Sequence, residues 1–180
     1  MRIVAGIYKS RLIKAPNGIH TRPTSDKVKG SIFNIIGYQI NHAKCLDLFA
    51  GSGNLGIEAI SRGACQCVFV DNDKNAISCI KENIQTLKIQ NQTSVYLMDY
   101  HQALKIIEET FDVIFLDPPY RYKIILELIE IIEEKEMLSK NGMIVYESNI
   151  ENQINEELNE HYHLKKYKYG DTILNILIRK

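Results

Sequence analysis

Apolar positions along the chain fall into two periods. Cys45–Ala50, Cys65–Val70, Thr93–Met98, Phe111–Leu116 and 143–147 are short, nearly continuous apolar runs of strand length. Between them the apolar positions take helical spacing. Leu55, Ile57, Ala59 and Ile60 follow Asn54, and Ala76, Ile77, Ile80, Ile84 and Leu87 mark a helix over 73–88. A short helix is expected over 100–109 and a long one from about Lys123 to Leu138. At the start, residues 2–8 and 11–15 read as two short strands around Lys9-Ser10, a hairpin, and Pro16-Asn17-Gly18 as a turn. Arg22-Pro23-Thr24-Ser25 should be extended before a helix capped by Thr24 or Ser25, with Asp26 in its first turn and an ending near Gly37. His163–Tyr169 and Thr172–Arg179, joined by Gly170-Asp171, form a closing hairpin.

Strands alternating with helices predict an α/β domain: a mostly parallel seven-stranded sheet, helices on both faces, and an antiparallel strand at the C-terminus. At 180 residues the chain fits one domain, 1–180, with residues 1–24 as a basic hairpin extension within it. No apolar run approaches membrane-spanning length and no signal peptide is evident, so a cytoplasmic protein is expected. Cys45, Cys65, Cys67 and Cys79 are too few for a disulfide framework, and no further ligands complete a metal site around Cys65 and Cys67. The five histidines are scattered and receive no role.

Net charge is zero, but residues 1–30 hold seven basic residues and one acid. The remainder is therefore acidic. A basic segment on an acidic domain is the footprint of a polyanion binder, with a solvated N-terminus as the equal alternative.

The chemistry gathers at the strand ends. Gly51-x-Gly53-x-x-Gly56 sits between a strand and a helix, where glycines let a ligand approach the main chain. Asp71 closes the next strand, about 20 residues on, where a carboxylate can accept hydrogen bonds from ribose hydroxyls. Asp73 is better placed than Asp71 to cap the following helix. No Walker lysine is present, so nucleoside triphosphate hydrolysis has no support. Asp99 ends the third strand and Asp117-Pro118-Pro119-Tyr120 the fourth. Two prolines fix φ twice and remove two donors, leaving a rigid, acceptor-rich loop suited to an exocyclic amine, with Tyr120 able to stack on an unstacked base.

These motifs together resemble a class I S-adenosylmethionine-dependent amino-methyltransferase of Rossmann-like fold. Arg2-Ile3-Val4-Ala5-Gly6, Arg22–Val28, Ile32-Phe33-Asn34 and Leu46–Gly53, in that order, are similar to the RsmD family. Its members methylate the N2 amine of a guanine in 16S ribosomal RNA, the guanine-966 type. The chain departs from the family pattern at Ile7, where a basic residue is usual, and at Ser10, where a glycine is usual.

The resemblance implies S-adenosylmethionine as cofactor, with Asp47, Gly51, Ser52 and Gly53 around its methionine and ribose part. It implies Asp71 at the ribose, Asp99 at the adenine amine, and Arg22 and Thr24 over the carboxylate end. Asp117, Pro118, Pro119 and Tyr120 would hold the guanine, and Arg2, Lys9, Arg11 and Lys14 would contact RNA. The implied partner is 16S ribosomal RNA within a small-subunit assembly particle, with no obligate protein partner. The alternatives are an amino-methyltransferase acting on adenine N6 or cytosine N4 in DNA or another RNA, and a non-catalytic RNA-binding protein.

Overall fold

The computed structural model describes residues 1–16, 25–118, 122–149 and 161–180. Seven strands form one sheet: β1 (Lys44–Asp47), β2 (Gln66–Asp71), β3 (Thr93–Leu97), β4 (Phe111–Leu116), β5 (Leu138–Asn149), β6 (Tyr162–Tyr169) and β7 (Thr172–Arg179). Their spatial order is β3-β2-β1-β4-β5-β7-β6. β1 to β5 pair in parallel, and β7 runs antiparallel to both its neighbours.

Five α-helices cover the two faces: α1 (Asp26–Ile36), α2 (Asn54–Ser61), α3 (Lys74–Leu87), α4 (Tyr100–Ile106) and α5 (Tyr122–Glu134). Because strand side chains alternate, consecutive apolar residues feed opposite cores. Cys67, Phe69, Val113 and Phe115 pack with α1, α2 and α3, whereas Val68, Val70, Ile114 and Leu116 pack with α4 and α5. This two-sided burial explains why the runs look continuous rather than alternating.

Caps set the helix limits. Ser25 accepts from the Val28 N–H, Asp73 from Asn75 and Asp99 from Gln102, while Gly37, at φ 58°, closes α1. The predicted long helix stops at Glu134, not Leu138, because Glu136 turns to φ 52° and the Met137 N–H folds back to the Ile132 carbonyl. That turn frees Leu138 to pair with Phe111, so β5 starts five residues before the expected Met143. The helix expected over 100–109 ends at Ile106.

The N-terminal hairpin is shorter than expected. Residues 1–3 and 11–13 pair antiparallel around one bridge, Arg2 with Leu12, and residues 5–10 are bends and turns. The reason lies in α2. The Val4 and Ala5 N–H groups donate to Glu58 at 2.8 and 2.9 Å, and the Ile7 N–H donates to the Ser61 carbonyl at 2.8 Å. The donors of residues 4, 5 and 7 are thus taken by a helix more than fifty residues away, which limits the cross-strand bonds to residues 1–3 and 10–13. Gly6, at φ +85°, fits only as glycine, because a Cβ there would stand 1.8 Å from the Ser61 carbonyl oxygen. The turn expected at 16–18 falls mostly outside the described residues.

Candidate active site at the carboxyl edge of the sheet

In parallel α/β sheets, ligands bind beyond the carboxyl ends of the strands. Here β1 ends in Asp47 and runs into the glycine turn, whose first strut is Asp71. The Gly51 N–H donates to Asp71 Oδ2 at 2.8 Å, and the Asp73 N–H donates to Oδ1 at 2.9 Å. Asp71 therefore braces the turn from the end of β2, and Asp73 takes the cap of α3. A carboxylate offers about four lone-pair sites, so two remain for a ligand.

Gly51 and Gly53 both lie at positive φ, 54° and 77°. A Cβ on Gly51 would meet nothing within 4 Å, so that side of the turn is open. Gly56 works differently: a Cβ there would come within 2.3 Å of the Phe69 ring and 2.6 Å of Cys67 Sγ, which marks the close approach of α2 to β2. The Gly56 N–H also donates to Asp47 Oδ2 at 3.0 Å.

Asp47 is only 3% exposed. Burial pushes its carboxyl up to about 7, against the Gly56 hydrogen bond, and the charges of Asp117 and Asp71 add to the rise. Asp71 and Asp117 thus lie close enough to Asp47 for their charges to act on it. Desolvation pushes the Asp117 carboxyl up to about 6. Its side chain is nonetheless open to solvent while Pro118 is buried, so water at the mouth offsets part of that desolvation.

Asp99 stands half-buried at the end of β3 and caps α4 through Oδ1. Its neighbour Tyr100 lies 5.6 Å from the Phe49 ring, centroid to centroid, which puts an aromatic pair beside the turn. Of the residues expected at the site, Arg22, Thr24, Pro119 and Tyr120 lie outside the described residues.

The basic residues of the N-terminal arm, 1–14, do not form one open patch. Arg2 Nε donates to Asp26 at 2.7 Å and Lys14 Nζ to Glu82 at 2.6 Å, whereas the Arg11 guanidinium lies over the Tyr8 ring and Lys9 is exposed.

Sequence reasoning missed the buried polar groups that seat this arm. Lys29, 1% exposed, donates to the Arg2 carbonyl at 2.7 Å and to Asn54 Oδ1 at 2.6 Å, and lies 3.3 Å from Glu58. Burial pushes the Lys29 ammonium down, and Glu58 opposes that shift. Glu58 also holds Arg62 at 2.8 Å. Asn83, 3% exposed on α3, reaches both Lys14 and Ser52. The available signal was spacing: Lys29 shares the stripe of Ile32, Phe33 and Ile36, and Asn83 that of Ile80 and Leu87.

Residues 1–178 match the family described as "Conserved hypothetical protein 95". The chain belongs to this family. A relative from Bacillus subtilis (strain 168), "Putative rRNA methyltransferase YlbH", is 45% identical over 175 residues, covering 96% of this chain and 95% of that protein. "Ribosomal RNA small subunit methyltransferase D" of Haemophilus influenzae is 37% identical over 155 residues, covering 82% and 78%. Among solved structures, "Putative methyltransferase yhhF from Escherichia coli" superposes with a TM-score of 0.89 at 30% identity, over 100% of this chain and 98% of that one. The resemblance to the RsmD family and the Rossmann-like class I methyltransferase fold are thereby borne out for this member of the Conserved hypothetical protein 95 family.

Proposed function

We propose that this chain is an S-adenosylmethionine-dependent ribosomal RNA methyltransferase acting on the N2 amine of a guanine in 16S RNA. Family membership and relatives named as rRNA methyltransferases support the reaction class and the RNA. The guanine amine is supported by the resemblance of Asp117-Pro118-Pro119-Tyr120 to the amino-methyltransferase signature.

The observation that carries the reading is the Gly51–Asp71 hydrogen bond at the carboxyl edge, where the charges of Asp71 and Asp117 both act on Asp47. Three carboxylates around an open glycine turn suit a ligand that is cationic at one end and carries hydroxyls. When bound, S-adenosylmethionine supplies a methyl group activated on a sulfonium. Asp71 has acceptor sites left for ribose hydroxyls, and the open face of Gly51 leaves room for the ligand beside the main chain. Asp117 orients the attacking amine and disperses the positive charge that grows on it as the N–C bond forms and the C–S bond breaks. The methylated nitrogen then gives up its proton, to Asp117 or to water, with rate gained mainly by positioning.

The test is transfer of labelled methyl groups to small-subunit RNA, offered naked and as a protein-bound particle, followed by nucleoside analysis. N2-methylguanosine is the expected product. Label on adenine N6 or cytosine N4 would move the target, and absence of transfer with retained cofactor binding would favour a non-catalytic RNA-binding protein.

A further inference from the structure

The described part of the arm is anchored at both its ends to the glycine turn, by two buried side chains. Asn83 makes four hydrogen bonds: the Lys14 N–H donates to its Oδ1 at 2.8 Å, and its Nδ2 donates to the Lys14 and Ser52 carbonyls, each at 3.1 Å, and to Cys79 Sγ at 3.7 Å. A backbone N–H can only donate, so the amide orientation is fixed by Lys14. At the other end, Lys29 joins the Arg2 carbonyl to Asn54. Ser52 and Asn54 flank Gly53, at the centre of the turn. The arm itself is closed by paired bonds, Ile13 N–H to the Met1 carbonyl at 3.0 Å and Ile3 N–H to the Arg11 carbonyl at 2.9 Å. These bonds close it into one loop, whose middle is held to Glu58 and Ser61 of α2.

We propose that Asn83 is a positioning residue that locks this arm to the cofactor-bearing turn, so that methyl-donor binding and RNA binding strengthen each other. The inference rests on the proposed function, in which the turn carries the cofactor and the arm meets RNA. The physical reason is the cost of an unsatisfied buried amide. If the arm lifts, Asn83 loses both of its bonds to Lys14, including the one accepted by Oδ1 that fixes the amide orientation, and its bond to Ser52 no longer has a fixed origin. A ligand that holds Ser52 in place thus favours the docked arm, and RNA that holds the arm favours the ordered turn. Coupling of this kind is reciprocal.

The experiment measures S-adenosylhomocysteine affinity by calorimetry, with and without a saturating small-subunit RNA transcript. In the wild type, RNA should tighten binding at least about fivefold. Asn83→Asp puts an acceptor against two carbonyls and should bring that ratio close to one while each ligand alone still binds. Ile132→Val, which thins the opposite core, should lower the melting temperature and keep the wild-type ratio. Should Asn83→Asp fail to fold, hydrogen exchange on the wild type decides. S-adenosylhomocysteine alone should slow exchange of residues 1–14 together with the turn.

A wild-type ratio of one, a ratio that survives Asn83→Asp, or protection confined to the turn would overturn the coupling and leave the methyl-transfer reading standing. Failure of the wild type to bind S-adenosylhomocysteine would overturn both.

Discussion

Asp117 and Asp47 are both raised carboxyls, and they bear on different measurements. Asp117, pushed up to about 6, orients the amine only when ionised. Turnover should therefore rise as pH climbs through about 6 and level off by pH 8, measured as kcat with saturating RNA. Asp117→Asn should lose roughly 10²–10⁴-fold in kcat and flatten that limb; a limb that persists belongs to another group. Asp47 bears on stability. Its carboxyl is raised from the ordinary 3.8 to about 7, so the folded chain holds this proton more tightly than the unfolded chain does. That contribution is complete below about pH 4 and is lost as pH rises through about 7, a matter of a few kcal/mol. Asp47→Asn keeps an acceptor for the Gly56 N–H and should remove this pH dependence, read from urea midpoints at pH 5 and 8. The glycine spacing and the aspartates at strand ends were legible because each sits where a regular pattern stops. Lys29 and Asn83 were less so: their spacing places them on apolar stripes, but nothing in the sequence names the distant carbonyls and carboxylate that satisfy them there.

The helix α2 joins the turn, the sheet and the arm, and its close approaches at glycine make that dependence measurable. Gly56→Ala forces a methyl group against Phe69 and Cys67, and overpacking of this type costs about 1–3 kcal/mol. Its urea midpoint should fall accordingly. Gly6→Ala meets backbone at Ser61 instead and cannot be relieved by a side chain, so the arm should undock. The expected result is fast hydrogen exchange over residues 1–14 with little change in the melting of the sheet. The main strands and helices were legible from period alone, with ends displaced by a few residues at α4, α5 and β5. The hairpin is shorter than its sequence suggests for a physical reason: extended backbone looks the same in sequence whether its donors meet a neighbouring strand or a distant carboxylate such as Glu58.

Charge is divided across the whole molecule, with basic residues at the start and acids at the carboxyl edge. Arg2 and Lys14 are engaged with Asp26 and Glu82, which leaves Lys9 and Arg11 as the arm's better candidates for meeting phosphates. Replacing both by alanine should weaken RNA binding and make the slope of log affinity against log salt shallower by about 0.7 for each phosphate no longer neutralised. An unchanged slope would place the phosphates elsewhere. The sheet order could be anticipated only as a class, because β1 pairs with β4, with two strands and three α-helices between them in the chain. The arm's attachment has a consequence for synthesis. Its partners Glu58, Ser61 and Asn83 lie 53 to 69 residues downstream of the groups they hold. At 5–20 residues per second, the basic N-terminus emerges roughly 3–14 s before its last anchor is made. A nascent chain whose first thirty residues are strongly basic thus spends that interval with its arm undocked beside the polyanionic surface of the ribosome.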